Sequence, residues 1–230
     1  GRIIMGSYLN PGSMLFRGSL RSKIYIDKSG LIEKINELVC TEQKYVCVSR
    51  PRRFGKSMAA NMLAAYYKKD EDTKPLFDKL LISQAKSYEE HLNQYDVIRI
   101  NMQQFLSETY NMEEMLSKLR NYLIMDLQEA YEKIRFREKT SLVQTMKDVF
   151  AYTGCPFIIL IDEWDCLFRE YQKDKEAQKK YLDFLRAWLK DQDYVGLAYM
   201  TGILPIKKYG SHSALNMFIE YSMTDPGDVA

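Results

Sequence analysis

The chain has 230 residues, 46% hydrophobic and 28% charged, with 33 basic and 31 acidic side chains for a net charge of +2. This composition excludes disorder as the main state, and 11 Gly with 6 Pro exclude a collagen-like or linker-dominated chain. No global field draws the molecule to nucleic acid or a bilayer, so any anion binding is local. No apolar run approaches the ~20 residues that span a membrane.

Met5 reads as the natural start, with Gly1–Ile4 upstream of it. Residues 6–22 read as loop, because Asn10-Pro11-Gly12 is a turn signal and Gly18 follows closely. Ile24-Tyr25-Ile26 is a short apolar stretch that ends at Asp27, the expected N-cap of a helix from about Ser29 to Leu38. Tyr45-Val46-Cys47-Val48-Ser49 has the profile of a buried strand. After a short loop, Met58, Met62, Leu63 and Tyr66 recur at helical spacing over Lys56–Tyr67.

The alternation then repeats. Val97–Asn101 is a second strand, and Asn111 with Glu114 three residues on predicts the cap of a long helix. Its apolar side carries Met115, Leu116, Leu119, Leu123, Leu127 and Ala130. Phe157–Ile161, introduced by Gly154 and Pro156, is the strongest strand in the chain. Asp174–Lys190 is an amphipathic helix through Ala177, Tyr181, Phe184, Leu185, Trp188 and Leu189. Val195–Met200 is a fourth strand and Phe218–Ser222 a weaker fifth. Strands alternating with helices predict an α/β fold with a mostly parallel sheet covered on both faces. No linker interrupts it, so residues 1–230 are expected to form one domain: an N-terminal loop and helix over 1–44 and a core over 45–230.

Cys40, Cys47, Cys155 and Cys166 lie in or beside apolar runs without CxxC spacing, as reduced, hydrophobic cysteines do. With only His91 and His212, a histidine-rich metal site is excluded. An intracellular, reducing, cytoplasmic location is expected.

Parallel α/β sheets bind ligands beyond the carboxyl ends of their strands, and two features fall there. The first is Arg50-Pro51-Arg52-Arg53-Phe54-Gly55-Lys56-Ser57, between the first strand and its helix. Gly-Lys-Ser opening a helix is the core of a phosphate-binding P-loop. Gly55 lets the backbone pass close to phosphates, and the amides that follow, through Met58, face them with the helix dipole behind. Lys56 would reach the β- and γ-phosphate oxygens, and Ser57 would offer its hydroxyl to Mg²⁺. The usual GxxxxGK(S/T) pattern has Gly where Arg50 stands. A loop-to-helix turn with a solvated lysine is the plain alternative.

The second feature is Asp162-Glu163, directly after Ile158–Ile161, a Walker B arrangement. Asp162 can hold the Mg²⁺ shell, and Glu163 can orient or deprotonate an attacking water. A helix N-cap with a dipole-favoured acid is the alternative for this pair alone. Together, in this order, the two features point to nucleotide binding. Arg50, Arg52 and Arg53 have three readings: phosphate coordination in cis or at a neighbouring subunit, contact with a nucleic-acid backbone, or pairing with Asp162 or Asp165. Thr201, after the fourth strand, fits either a polar sensor of the γ-phosphate or attacking water, or a turn residue ahead of Gly202. Lys207 and Lys208 are weaker sensor candidates.

These residues resemble the bacterial and archaeal AAA-ATPase-like family of predicted P-loop ATPases. The resemblance runs from about Ser7 to the C-terminus. Its marks are Tyr25-Ile26-Asp27-Lys28, the Arg50–Ser57 octet, Leu160-Ile161-Asp162-Glu163-Trp164-Asp165 and Met200-Thr201-Gly202-Ile203-Leu204. Arg in place of the first Gly is typical of that family. The resemblance implies a three-layer α/β/α P-loop fold of the additional-strand (AAA/ASCE-like) type, in which the strand ending at Thr201 lies between the two motif-bearing strands. It implies ATP and Mg²⁺ as ligands, and places Asp27 and Lys28 near the base or ribose. Members often continue into a PD-(D/E)xK nuclease-like domain, so a chain truncated at its C-terminus is expected, with nucleic acid a partner of the absent module.

Three functions fit these residues. The leading one is Mg²⁺-dependent ATP hydrolysis, with Glu163, Lys56 and Thr201 in catalytic roles and a nucleotide-dependent oligomer as one form. The alternative is a nucleotide-gated switch with little turnover that contacts DNA or another partner. A primary nucleic-acid-binding module is disfavoured by the balanced charge.

Overall fold

Among the described residues, five strands, all parallel, form one sheet in the order β2-β3-β4-β1-β5. They are β1 (Tyr45–Ser49), β2 (Asp96–Asn101), β3 (Phe157–Asp162), β4 (Val195–Gly202) and β5 (Ile219–Ser222). The computed structural model describes residues 8–49, 58–209 and 214–222. All six residues of β3 and all eight of β4 are buried. That double-sided burial is why they read as unbroken apolar runs rather than alternating ones. β4 lies between β1 and β3, as the additional-strand topology requires.

Successive strand side chains point to opposite faces, and the core divides accordingly. Cys47, Ile159, Ile161 and Met200 pack on one face with Phe105, Leu119, Leu123, Met146 and Trp188. Val46, Val48, Ile158, Leu160 and Tyr199 pack on the other with Phe16, Ile32, Leu63, Tyr66 and Phe77. The result is the expected three-layer α/β/α arrangement.

In chain order the described helices are α1 (Met14–Leu20), α2 (Gly30–Asn36), α3 (Met58–Tyr67), α4 (Lys74–Phe77), α5 (Tyr88–His91), α6 (Met102–Ser107), α7 (Met112–Ala130), α8 (Leu142–Thr153), α9 (Cys166–Glu170), α10 (Lys175–Leu189) and α11 (Ile206–Tyr209). A 3₁₀ turn spans Leu81–Gln84. The predicted cap of α7 is present: Asn111 Oδ1 accepts from the Glu114 amide at 2.8 Å. Asp174 caps α10 in the same way through Ala177. Ser141 caps α8, which ends on Gly154 in the left-handed region at φ +67°. Ala130 departs from the predicted apolar side of α7 and is exposed.

Two N-terminal expectations are corrected. The segment read as loop over 6–22 contains α1. Its main buried anchor is Phe16, stacked on Phe77 with ring centroids 5.0 Å apart, while Met14 and Leu15 stay exposed. One anchor leaves no helical stripe in the sequence, so tertiary packing decides the conformation. Glu71 fastens the same helix, accepting from Ser13 Oγ at 2.8 Å and pairing with Arg17 and buried Lys68. Asp27 is not the N-cap of α2; that position is Ser29. Asp27 instead accepts from the Ser29 and Leu81 amides, each at 2.8 Å, which ties the entry of α2 to the 3₁₀ turn.

The N-terminal segment also covers the free edge of β2. Leu9 bridges Ile98 antiparallel, the Arg99 amide donates to the Tyr8 carbonyl, and the Asn10 amide donates to that of Val97. A sheet edge otherwise left with unpaired backbone groups is thereby closed by residues 8–10. The four cysteines are free, Cys47 and Cys166 among them buried, and burial pushes the Cys166 thiol up to about 12. No helix among the described residues is long and apolar enough to cross a membrane.

Candidate functional site

The carboxyl ends of four strands meet in register. Asn101 of β2 stands beside Asp162 of β3, Ile161 beside Met200 of β4, and Thr201 and Gly202 beside Val48 and Ser49 of β1. The strand order therefore brings the acidic pair at the end of β3 and the Thr-Gly pair ending β4 to one edge, next to the exit of β1. α3 begins at Met58, which is half-buried. The predicted phosphate-loop residues Arg50, Pro51, Arg52, Arg53, Phe54, Gly55, Lys56 and Ser57 lie outside the described residues, between the end of β1 and the start of α3.

Asp162 is the centre of the described site. It is 2% exposed, so its charge needs partners, and it has them on both oxygens. Thr201 Oγ1 donates to Oδ1 at 2.9 Å, and Arg99 Nη2 donates to Oδ2 at 3.0 Å. Arg99 Nη1 in turn donates to Asn61 Oδ1 on α3. A single polar chain thus runs from α3 through β2 and β3 to β4.

Glu163 follows at φ +53°. The left-handed region costs a non-glycine residue roughly 1–2 kcal/mol, and such strain collects at functional sites and switch regions. The turn after it is stapled to the end of β4. The Trp164 amide donates to the Thr201 carbonyl at 3.1 Å, and Asp165 Oδ2 accepts from the Ile203 and Leu204 amides at 2.9 and 2.7 Å. Asp165 is fully buried and lies 3.5 Å from Arg169 Nε. Gly202 is required by this packing, because a Cβ there would sit 2.7 Å from both Asp165 Oδ1 and the Trp164 ring.

The structure therefore brings together Asp162, Glu163 and Thr201 among the predicted site residues. Asp27 and the half-buried Lys28 belong to the entry of α2, where Asp27 holds backbone amides as described above. Lys207 is exposed, and the side chain of Lys208 lies outside the described residues. Sequence reasoning missed Arg99 and Asn61. The signal was present: Arg99 interrupts the apolar run Val97-Ile98-Arg99-Ile100, and a strand in a covered sheet takes a guanidinium only with partners.

No cluster of three or more His, Cys, Asp or Glu side chains that could hold a metal occurs among the described residues. Asp162, held through Oδ1 by the Thr201 hydroxyl, is instead a single hard oxygen donor of the kind that Mg²⁺ takes together with phosphates and water, and it fits such a group.

A parallel sheet with β4 inserted between β1 and β3, and an acid at the end of β3 bonded to the threonine at the end of β4, defines an α/β domain of the P-loop NTPase type. A family model described as Predicted AAA-ATPase matches residues 19–211, and the chain belongs to that family. It is also similar to an uncharacterized protein in the vnfD 5′ region of Azotobacter chroococcum mcd 1, with 24% identity over 204 residues. That match covers 86% of this chain and 37% of the relative, so the chain spans well under half of the relative's length.

Proposed function

We propose that this chain binds ATP with Mg²⁺ and hydrolyses it. In this reading Arg50–Met58 cradle the phosphates, Lys56 neutralises the β- and γ-phosphate oxygens, and Ser57 and Asp162 hold Mg²⁺. The metal, when bound, polarises the phosphate oxygens and offsets charge that develops in transfer. Glu163 orients and deprotonates the attacking water. Thr201 acts on the site through Asp162, whose carboxylate it fixes from the neighbouring strand. One of Arg50, Arg52 and Arg53 supplies further positive charge. Asp27 and Lys28 flank the base or ribose.

The observation that carries this reading is the bond from Thr201 Oγ1 to Asp162 Oδ1 at 2.9 Å. It presets a buried carboxylate at the strand end where the family's nucleotide is expected, immediately before a strained glutamate. Preset groups of this kind contribute to catalysis because they need no reorganisation during the reaction. The work done with the nucleotide falls on a further module or on other copies of the chain, with nucleic acid as one partner, and the free cysteines suit the cytoplasm.

Titration calorimetry of the wild-type chain with Mg²⁺-ATP, beside Lys56→Ala, tests the binding half. Saturable 1:1 binding by the wild type and a loss of about tenfold or more in the variant are expected, as for a phosphate contact made by a charged group. Absence of wild-type binding contradicts the reading.

A further inference from the structure

We propose that Arg99 is the resident counter-cation of Asp162: it neutralises and positions this carboxylate in the metal-free protein and yields it when a divalent cation binds. The inference rests on the reading above only for the identity of Asp162 as the metal ligand.

The geometry has three parts. Asp162 is 3% exposed at its side chain and Arg99 is 18% exposed, so their 3.0 Å contact is a largely desolvated ion pair. A carboxylate so placed is costly without a cation, and a site built only for an incoming metal would leave it uncompensated before binding. Arg99 removes that difficulty from within the fold. The second part is the split between the two oxygens. Oδ1 takes the neutral hydroxyl of Thr201 and Oδ2 takes the guanidinium, so orientation and charge compensation come from different strands. The third part is Asn61, a neutral second acceptor for the same guanidinium on α3. Asn61 lies four residues beyond Ser57 in sequence. A guanidinium that leaves Asp162 therefore keeps a hydrogen-bond partner.

A divalent cation and the guanidinium compete for one carboxylate, because two like charges close together in a partly desolvated site repel. Arg99 accordingly weakens metal binding in the absence of nucleotide. The metal delivered with phosphates brings its own anions and overcomes that competition. A purely structural arginine would affect stability without setting metal affinity according to charge.

The test is Mn²⁺ binding to the full, nucleotide-free chain, read from the electron paramagnetic resonance signal of free Mn²⁺. Arg99→Gln, which keeps an amide donor and removes the charge, is expected to bind Mn²⁺ about tenfold more tightly than wild type. Arg99→Lys is expected to bind as weakly as wild type. Adding Asp162→Asn to Arg99→Gln is expected to abolish the gain. If Arg99→Gln unfolds without metal, refolding on addition of Mn²⁺ supports the proposal, and failure to refold overturns it. Unchanged or weaker binding by Arg99→Gln, or equally tight binding by Arg99→Lys, also overturns it. The Mn²⁺ measurements contain no nucleotide, so wild-type ATP binding measured separately shows whether a failure belongs to the nucleotide reading or to Arg99 alone.

Discussion

Thr201 Oγ1 donates to Asp162 Oδ1 across 2.9 Å, joining residues 39 positions apart in the chain. The contact exists because β4 is inserted beside β3, with Ile161 paired to Met200 immediately before the two residues that bond. A feature of topology thus becomes a feature of chemistry: the order of strands decides which side chain steadies the acid.

Thr201→Val keeps the shape and removes the donor. Thr201 is buried at 2% exposure, so Asp162 loses a hydrogen bond that water does not readily replace. A loss of about 1–3 kcal/mol in unfolding free energy is expected, measured by urea denaturation. ATP turnover is expected to fall more than ATP binding, because the phosphate loop is untouched. Thr201→Ser is expected to restore both.

Asp165→Ala removes the acceptor for the Ile203 and Leu204 amides and leaves Arg169 without its buried partner. Breaking one half of a buried pair costs about 3–5 kcal/mol. The variant is expected to unfold at a clearly lower urea midpoint. Faster amide exchange at Ile203 and Leu204 is expected even where the global fold persists.

Gly202→Ala tests the close packing between the two strand ends. The added Cβ meets Asp165 and Trp164 at 2.7 Å, and both side chains are fully buried with little room to yield. Overpacking of this kind costs about 1–3 kcal/mol. Thermal unfolding is expected to show it, with a larger loss than Gly18→Ala, where nothing lies within 4 Å of the new methyl.

His91 gives a pH dependence remote from the site. Burial pushes its pKa below the usual 6.5, against a smaller opposing pull from Glu90. The unfolded chain therefore takes up this proton first as pH falls, so the folded state loses stability relative to it. The contribution is complete above about pH 6.5 and is lost as pH drops through the lower folded value. Urea midpoints are expected to fall between pH 7.5 and 5.5, and to fall less in His91→Gln. An equal fall in both proteins contradicts the assignment.

The centre of the sheet was legible because β3 and β4 are buried on both faces: Phe157–Ile161 and Val195–Met200 stand out as apolar runs. The cap at Asn111 was legible because capping is local chemistry. What escaped depends on contacts distant in sequence. The helix at Met14–Leu20 is anchored by Phe77, the Asp27 carboxylate by Leu81, and neither partner is marked in the local pattern. At the candidate site, Asp162, Glu163 and Thr201 are read from their positions at strand ends, and the strand order brings them to one edge of the sheet. Arg99 and Asn61 were overlooked because their meaning lies in one shared contact between a strand and a helix. The left-handed turn at Glu163 has no composition signal at all, since glycine would be the residue expected there.

The most direct test of the central claim is phosphate release from Mg²⁺-ATP by the wild-type chain beside Glu163→Gln, with bound nucleotide measured in the same samples. Steady turnover by the wild type is expected, with a loss of at least about a hundredfold in the variant, the scale of general-base catalysis, and with ATP still bound. Turnover that persists in Glu163→Gln, or a wild-type chain that holds ATP without hydrolysing it, would contradict the account and favour a nucleotide-gated switch.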